Sequence, residues 1–399
     1  MTDPVTESAK PSGVVAEALS HDSDLLVLFV STWIEAPSAV AVAVELPGLP
    51  VVVWGLRMYY EGGRRESTGS LPGACVLKAS LESMGRAVRF VVGMPDEPEA
   101  VRAVYEYSLA ASAAKRLKRS RVGLVGYASM GMYTATFDPV SLRAMGPDVV
   151  HIDTSTVFER AQSIDDASAR RVAEGWRARY HVDSDVGDGD LATAARLYLA
   201  FKGLAKELGL DALTVKCQYE FSKGLGFVPC LPLSILADEG LVCSCEGDVP
   251  LTVTMLALHY LTGQPIYYGD VVDVRGNRVY LSSCGFAPLS LARSPGMGIG
   301  KHKFFFRGLR SGVVLREGPV TLARLGWVRG EYVMHVAPGV VVETELRQGL
   351  FPAAEVELRG SADDFLSFVL SQHYALAYGD LVRSIRDLCA ILGVECVVT

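Results

Sequence analysis

Short apolar runs alternate with longer stretches of helical periodicity from about residue 24 onward. The runs at 24–30 (DLLVLFV), 49–56 (LPVVVWGL) and 87–93 (AVRFVVG) are typical of buried strands. Between and after them, residues 69–85 and 97–119 carry apolar residues at helical spacing. Because strands that alternate with helices form parallel βαβ units, this pattern predicts a doubly wound parallel sheet.

A second set of the same kind begins near residue 120. Strands are predicted at 121–126, 148–153 and 213–220, with helices at 155–178 and at 190–208, the last capped by Asp190. After residue 263 the chain changes to short strands joined by Gly/Pro turns, which is typical of an antiparallel sheet or barrel.

These patterns predict an α/β protein with two doubly wound parallel-sheet domains and a β-rich, barrel-like C-terminal domain that also contains helices. The expected boundaries are a loose N-terminal tail at 1–20, an α/β domain at 21–119, a second α/β domain at 120–240 and the β-rich domain at 241–399.

The amino-acid composition and net charge indicate which kinds of partner the protein can bind. Half of the 399 residues are apolar, and the formal net charge is −7. An acidic surface argues against nucleic acid or an anionic membrane as the main partner, since both bind basic surfaces. No run approaches the roughly 18 apolar residues that a membrane helix needs, so we expect a cytoplasmic protein. The eight cysteines lie mostly in apolar runs, which is typical of reduced, buried thiols.

Acidic residues occur where two predicted strands end. Pro250 is suited to the first turn of an apolar helix, so Asp248 is expected to be its N-cap, and Glu246 lies just before it at a strand end. Glu220 ends the strand predicted at 213–220. Open α/β sheets bind ligands beyond the carboxyl ends of their strands, and carboxylates from two such ends suit Mg²⁺ or Mn²⁺.

Two histidines are candidates to complete this site. His302 follows a glycine-rich segment that fails the phosphate-loop pattern, because Pro295 stands at the first glycine position. His373 just precedes a terminal apolar element and is a candidate metal ligand.

An ordered series of short motifs resembles the L-fucose isomerase-like proteins of the fucose/arabinose isomerase superfamily. The motifs are KCQYE at 216–220, CEGDVPLTVTML at 245–256, LTGQPIYYGD at 261–270, SSCGFAP at 282–288, GPVTLARL at 318–325 and HYALAYGD at 373–380. The resemblance implies a metal-dependent aldose–ketose isomerase that acts through an enediol on L-fucose, D-arabinose or a related monosaccharide. It further implies a homo-oligomer, a hexamer or a trimer.

The resemblance also implies functions for individual residues. Glu220, Asp248 and His373 match the family's ligands to Mn²⁺, for which Mg²⁺ or Co²⁺ are alternatives, and the two carboxylates would also carry protons. Glu246 is expected either to support the metal ligands as their hydrogen-bond partner or to contact a sugar hydroxyl, and His302 is expected to contact the sugar.

The chain departs from the family pattern in two places. Ser283 stands where the family usually has His in His-Cys-Gly, and Pro250-Leu251 replaces the usual Gly-Ala. These departures leave open a non-catalytic or diverged sugar-binding protein on the same fold. A glycoside hydrolase with two carboxylates is a further alternative, since that chemistry needs no metal.

Overall fold

The computed structural model describes residues 5–6, 12–294, 298–303, 306–346 and 350–399. They form two compact units, of which the first extends to Lys115 and includes Arg386–Gly393. The second contains Arg116–Ile385 and Val394–Thr399. The finer division at residues 120 and 240 stays a prediction.

The first unit is built on a three-stranded parallel sheet. Its elements are α1 (Ser12–Ser20), β1 (Leu26–Val30), α2 (Ala36–Glu45), β2 (Val51–Gly55), β3 (Tyr59–Glu61), β4 (Arg64–Glu66), α3 (Ser70–Ser83), β5 (Val88–Val92) and α4 (Pro98–Arg119). The strand order is β1–β2–β5, and β2 lies in the centre, where its valines are fully buried. A continuous apolar run suits this position, because helices cover both faces of a parallel sheet. Part of the segment that was expected to be a loose tail forms α1.

The second unit begins with a four-stranded parallel sheet in the order β7–β6–β8–β9. Its elements are β6 (Arg121–Val125), the 3₁₀ turns Ser129–Gly131 and Tyr133–Ala135, α5 (Pro139–Met145), β7 (Asp148–Ile152), α6 (Thr154–Ser163), α7 (Asp166–Arg179), α8 (Asp188–Leu208), β8 (Ala212–Val215), α9 (Cys230–Asp238), β9 (Val242–Cys245) and α10 (Val249–Thr262).

Three predictions for this region were wrong in detail. The helix expected at 155–178 is two helices, because the Asp165 side chain accepts a hydrogen bond from Ser168 N at 2.8 Å and starts α7 there. Helix α8 begins at Asp188, so Asp190 lies in its first turn and does not cap it. Strand β8 ends at Val215, and an irregular helical segment, Cys217–Leu225, replaces the end of the strand predicted at 213–220.

The rest of the second unit is β-rich. Its elements are β10 (Tyr267–Arg275), β11 (Arg278–Ser282), the 3₁₀ turn Leu289–Leu291, β12 (Gly298–Lys301), β13 (Leu309–Gly312), β14 (Gly318–Val328), β15 (Glu331–Val342), β16 (Ala353–Leu358), α11 (Ala362–Ser367), β17 (His373–Tyr378) and β18 (Glu395–Val398). Helix α12 (Val382–Leu392) begins in this unit, and its residues from Arg386 onward belong to the first. Strands β14, β17, β10, β11, β16 and β15 pair in that order, and β14 also pairs with β15, so the pairing forms a closed ring. The mixed α/β class, with parallel sheets first and a β-rich region after them, is confirmed.

Helix α10 connects the parallel sheet to the ring of strands. All of its residues except His259 and Thr262 are buried, because it packs against β8 and β9 as well as against β14 and β17. Burial of one leucine such as Leu256 contributes about 1.5–3 kcal/mol. The apolar residues on every face of this helix correctly predicted that it is buried. In the described part of the chain, we find no helix with the length and apolar character needed to cross a membrane.

A buried histidine in the ring makes stability depend on pH. His335 on β15 contacts the Tyr374 hydroxyl through Nδ1 at 2.6 Å and the Thr399 hydroxyl through Nε2 at 3.0 Å. Burial lowers the pKa of His335 to about 4, whereas an unfolded histidine has a pKa of about 6.5. Between these two values the unfolded chain binds more protons, so acidification destabilises the folded state.

We therefore expect His335 to cause a loss of up to about 3 kcal/mol of unfolding free energy between pH 6.5 and pH 4. Urea unfolding at several pH values checks this for the wild-type protein and for His335→Gln. The variant should lose less stability on acidification, and an identical pH slope in both proteins would contradict the assignment.

Candidate active site

A tight turn follows β9 at the carboxyl edge of the parallel sheet. Glu246 and Gly247 both have left-handed backbone angles, with φ of 69° and 66°. A Cβ on Gly247 would lie 2.1 Å from the carbonyl oxygen of Tyr127, so only glycine fits there. The Glu246 carbonyl accepts a hydrogen bond from Ser129 N at 2.8 Å. A non-glycine residue with positive φ is strained, and such strain is concentrated at functional sites.

His373 brings three carboxylates together. It is the first residue of β17 and is completely buried. Its Nδ1 lies 2.8 Å from Oδ2 of Asp248, and its Nε2 lies 3.3 Å from both Oε2 of Glu246 and Oδ1 of Asp270. Burial alone would lower the pKa of His373, but the three neighbouring carboxylates raise it well above its usual value.

Asp248 caps α10, as its sequence context predicted, and also holds His373. Its Oδ1 accepts a hydrogen bond from Leu251 N at 3.0 Å. Its Oδ2 accepts hydrogen bonds from His373 and, at 2.8 Å, from the fully buried Arg324, whose other terminal nitrogen donates to the Thr134 carbonyl at 2.7 Å. Burial would raise the pKa of Asp248, but Arg324 and His373 lower it to about 2. Asp248 is therefore a fixed negative charge that orients the imidazole.

Glu246 has the opposite electrostatic environment. Its side chain is buried, and burial raises its pKa to about 7, although the contact with His373 lowers it in part. Its Oε1 lies 3.8 Å from the Cys284 sulfur. A carboxyl group that gains and loses a proton near neutral pH is suited to general acid–base catalysis. From its sequence context Glu246 was expected only to support the metal ligands or to contact a sugar hydroxyl.

Asp270 is a member of the site that its sequence context did not predict. It lies on β10 directly opposite His373 in the register of β10 with β17. Its side chain is 37% exposed, so it connects the buried histidine to solvent. The pair Gly269-Asp270 has the composition of a turn, and only the strand register, which the sequence does not give, places Asp270 in the site.

Glu220 is not among the contacts of His373 or Asp248. It lies in the irregular segment after β8, where Tyr219 has a φ of 71°. Its Oε1 pairs with Lys216 at 2.8 Å. Its Oε2 is buried and has no hydrogen-bond partner within the described residues. The assignment of Glu220, Asp248 and His373 as one set of metal ligands stays a prediction.

His302 follows β12 and is buried. Neither of its ring nitrogens has a hydrogen-bond partner among the residues that the structure describes, and burial lowers its pKa to about 4, so it is neutral. A Cβ on Gly285 would lie 2.6 Å from its Cε1, so the two residues are in close contact. The segment 295–297, whose Pro295 breaks the phosphate-loop pattern, lies outside the described residues. Contact of His302 with sugar stays a prediction.

The two departures from the expected family pattern have local structural explanations. The Ser283 hydroxyl donates a hydrogen bond to the Phe286 carbonyl at 2.5 Å, so it is engaged within its own turn. Pro250 lies in the first turn of α10, where its lack of an N–H costs no hydrogen bond.

The donor atoms of this site fit a hard divalent cation in part. Glu220 Oε2 is buried without a hydrogen bond in the described chain, which is typical of a ligand whose partner is an ion, whereas Nε2 of His373 already lies 3.3 Å from Glu246 and Asp270. Imidazole with carboxylates suits Mn²⁺ or Mg²⁺. Asp248 fits less well, because its oxygens already accept three hydrogen bonds from Leu251, Arg324 and His373.

Comparison with known proteins identifies similar enzymes. No family model matches the chain. It is 28% identical over 356 residues to the sulfoquinovose isomerases of Alkalicoccus urumqiensis and Priestia megaterium, covering 87% of this chain and 80% and 79% of theirs. It is 26% identical over 370 residues to a sulfoquinovose isomerase of a Clostridium species, again over 87% of this chain and 80% of the relative.

These similarities correct one expectation and confirm another. The resemblance to L-fucose isomerase-like proteins was wrong, because the relatives that align over most of the chain are sulfoquinovose isomerases. The prediction that the chain is a sugar isomerase, an intramolecular oxidoreductase of the aldose–ketose class, is confirmed by its similarity to these enzymes.

Proposed function

We propose that this protein interconverts the aldose and ketose forms of a sulfonated hexose of the sulfoquinovose type. The observation that carries the proposal is the similarity to sulfoquinovose isomerases over 87% of the chain. The cluster of three buried residues, Glu246, His373 and Asp248, with the partly exposed Asp270 supports it, because that cluster supplies the acid–base groups that isomerisation requires. The homo-oligomer stays a prediction.

Isomerisation moves one proton between two neighbouring carbon atoms. In our proposal the Glu246 carboxylate removes the proton from C2 of the aldose, and the electrons of that bond form the enediol as the carbonyl oxygen on C1 gains negative charge. Glu246 then returns the proton to C1, while a proton moves from the C2 hydroxyl to the oxygen on C1. A group whose pKa is raised to about 7 can accept and return this proton at neutral pH.

His373 is the group that we assign to the developing oxyanion. Asp248 holds its Nδ1 at 2.8 Å, so Nε2 faces Glu246 and Asp270. A protonated imidazole in this position stabilises negative charge on the sugar oxygen in a buried environment, where such interactions are strong. Asp248 is then a positioning residue that acts through His373 and not on the sugar.

A metal ion is part of the proposal. Nε2 of His373 can join Asp270 as a ligand only when the imidazole is neutral, so in the metal-bound state the ion would replace the imidazolium as the positive charge, with Glu220 as a further proposed ligand. Such donors suit a hard divalent cation, Mn²⁺ with Mg²⁺ or Co²⁺ as alternatives, whose charge would polarise the sugar carbonyl when it is bound.

Proton NMR in D₂O tests the reaction and the substrate together. The full chain is incubated with Mn²⁺ and, in separate samples, with sulfoquinovose, L-fucose, D-arabinose or D-glucose. We expect ketose formation with deuterium incorporation from sulfoquinovose, and conversion at least about tenfold slower for the neutral sugars, because they lack the anionic group.

Two results would contradict this proposal. Equal conversion of D-glucose would overturn the sulfonated substrate. Sugar binding without ketose formation or deuterium uptake, with each of the three metal ions supplied in turn, would overturn the isomerase and favour a sugar-binding protein.

A further inference from the structure

Four thiols meet beside Glu246, although they are far apart in the chain. Cys217 begins the segment after β8, Cys245 ends β9, Cys230 begins α9 and Cys284 follows β11. The thiol of Cys245 contacts those of Cys217 and Cys284, and Cys284 also contacts Cys230. All are free thiols, and the first three are buried.

The sequence does not predict this cluster of thiols. Cys243 and Cys245 form a C-x-C pair on the same face of β9, but residues two apart in an extended strand are separated by about 6.5 Å, so their thiols do not meet directly. Burial raises the pKa of the Cys243 thiol, and no neighbouring thiol or carboxylate contributes to that change. The thiols that do meet come from four separate elements, so their spacing in the sequence carries no metal-binding signature.

The geometry of the cluster is that of a metal-binding site. In the described residues, the sulfur atoms of Cys217 and Cys245 and a carboxylate oxygen of Glu246 lie within 4.8 Å of one another. The sulfur of Cys284 lies 3.8 Å from Glu246 Oε1. Two thiolates on one tetrahedral zinc, each about 2.3 Å from the metal, are roughly 3.8 Å apart. The donor atoms of Cys217, Cys245 and Glu246 therefore need only small movements to share one ion, which Cys284 can join through its contacts with Cys245 and Glu246.

We propose that a thiophilic divalent cation, Zn²⁺ or Cd²⁺, binds to Cys217, Cys245, Cys284 and Glu246. Three thiolates and one carboxylate oxygen give a four-coordinate set that prefers soft metals to Mn²⁺ or Mg²⁺. Each thiol releases its proton to solvent as it binds the ion, and no oxidant is needed. Cys230 lies outside this set and contacts the bound thiolate of Cys284.

The proposed site shares one residue with the isomerase site. Oε1 of Glu246 faces Cys284, whereas Oε2 faces His373. An ion held by the thiolates would keep the Glu246 carboxylate from accepting a proton, so Zn²⁺ should inhibit isomerisation. This consequence rests on the proposed function, whereas binding of the metal does not.

Cadmium titration tests the binding directly. The reduced, metal-free full chain is titrated with Cd²⁺ while the ultraviolet sulfur-to-cadmium charge-transfer band and the bound metal per chain are measured. We expect one tightly bound ion per chain with the band, and affinity weaker by about tenfold or more in Cys217→Ser and in Cys245→Ser. Cys243→Ser is the matched control, because it removes a buried thiol from the same strand, and it should bind like the wild-type protein.

Three outcomes would overturn the site: no band, a band that survives in both variants, or an equal loss in Cys243→Ser. Circular dichroism of each variant verifies folding. The band is measured without sugar, so failure of the isomerase assay would leave it unchanged. Isomerase activity without the band would overturn only the metal site. Inhibition by Zn²⁺ that is equal in the wild type and in Cys217→Ser would contradict the link through Glu246.

Discussion

The Glu246→Gln variant is expected to isomerise sugar about 10²–10⁴-fold more slowly than the wild-type protein, through a lower kcat. Glutamine keeps the size of the side chain, but it cannot accept the proton that moves between the two carbon atoms. KM should change much less, because the buried cluster around His373 remains in place. The measurement is the initial rate of ketose formation over a range of sulfoquinovose concentrations.

Two further variants test whether the loss of activity in Glu246→Gln comes from the missing carboxylate at this position. Glu246→Asp keeps the carboxylate but shortens its reach, so it should retain more activity than glutamine. Glu357→Gln makes the same chemical change on β16, where the side chain is 51% exposed, and it should have wild-type activity. Full activity in Glu246→Gln would show that another group carries the proton.

The Arg324→Met variant should lose about 3–5 kcal/mol of unfolding free energy. Arg324 and Asp248 are both completely buried, and their charged groups meet at 2.8 Å. Without the guanidinium, the Asp248 carboxylate stays buried with its main counter-charge removed, and the Thr134 carbonyl loses its donor. Guanidinium chloride unfolding measures the loss.

A double variant and a surface control separate the buried charge from the lost packing. Asp248→Asn combined with Arg324→Met should be more stable than the sum of the two single losses predicts, with a coupling of about 0.5–3 kcal/mol. Arg278→Met removes a half-exposed ion pair with Glu357 and should cost less than about 1 kcal/mol. If the two single losses simply add, the pair is not coupled.

The local sequence predicted those parts of the fold that local chemistry determines. Continuous apolar runs gave the buried parallel strands, and the apolar faces of α10 with Asp248 and Pro250 before it gave a buried, capped helix. Glu220 was misplaced, because LTVKCQYE has the composition of a strand and the backbone turn at Tyr219 leaves no mark in it.

The candidate site was predicted only in part, because its geometry depends on pairing between distant segments. Asp248 and His373 were identified and do meet. Asp270 and Arg324 were not, since only the register of β10 with β17 and the position of β14 bring them to the same place. The four thiols were missed for the same reason. The proposed sugar rests on similarity over 87% of the chain and not on any motif.

The distance along the chain between the members of the site affects how the protein is synthesised. Asp248 leaves the ribosome 76 residues before its partner Arg324 and 125 residues before His373. The Asp248 carboxylate is completely buried in the folded protein. During that interval it has to stay in contact with water, since an unpaired charge is costly to bury. The N-terminal end of α10 therefore becomes buried late, after β14 and β17 have been translated. Contacts between residues so far apart in the chain form slowly.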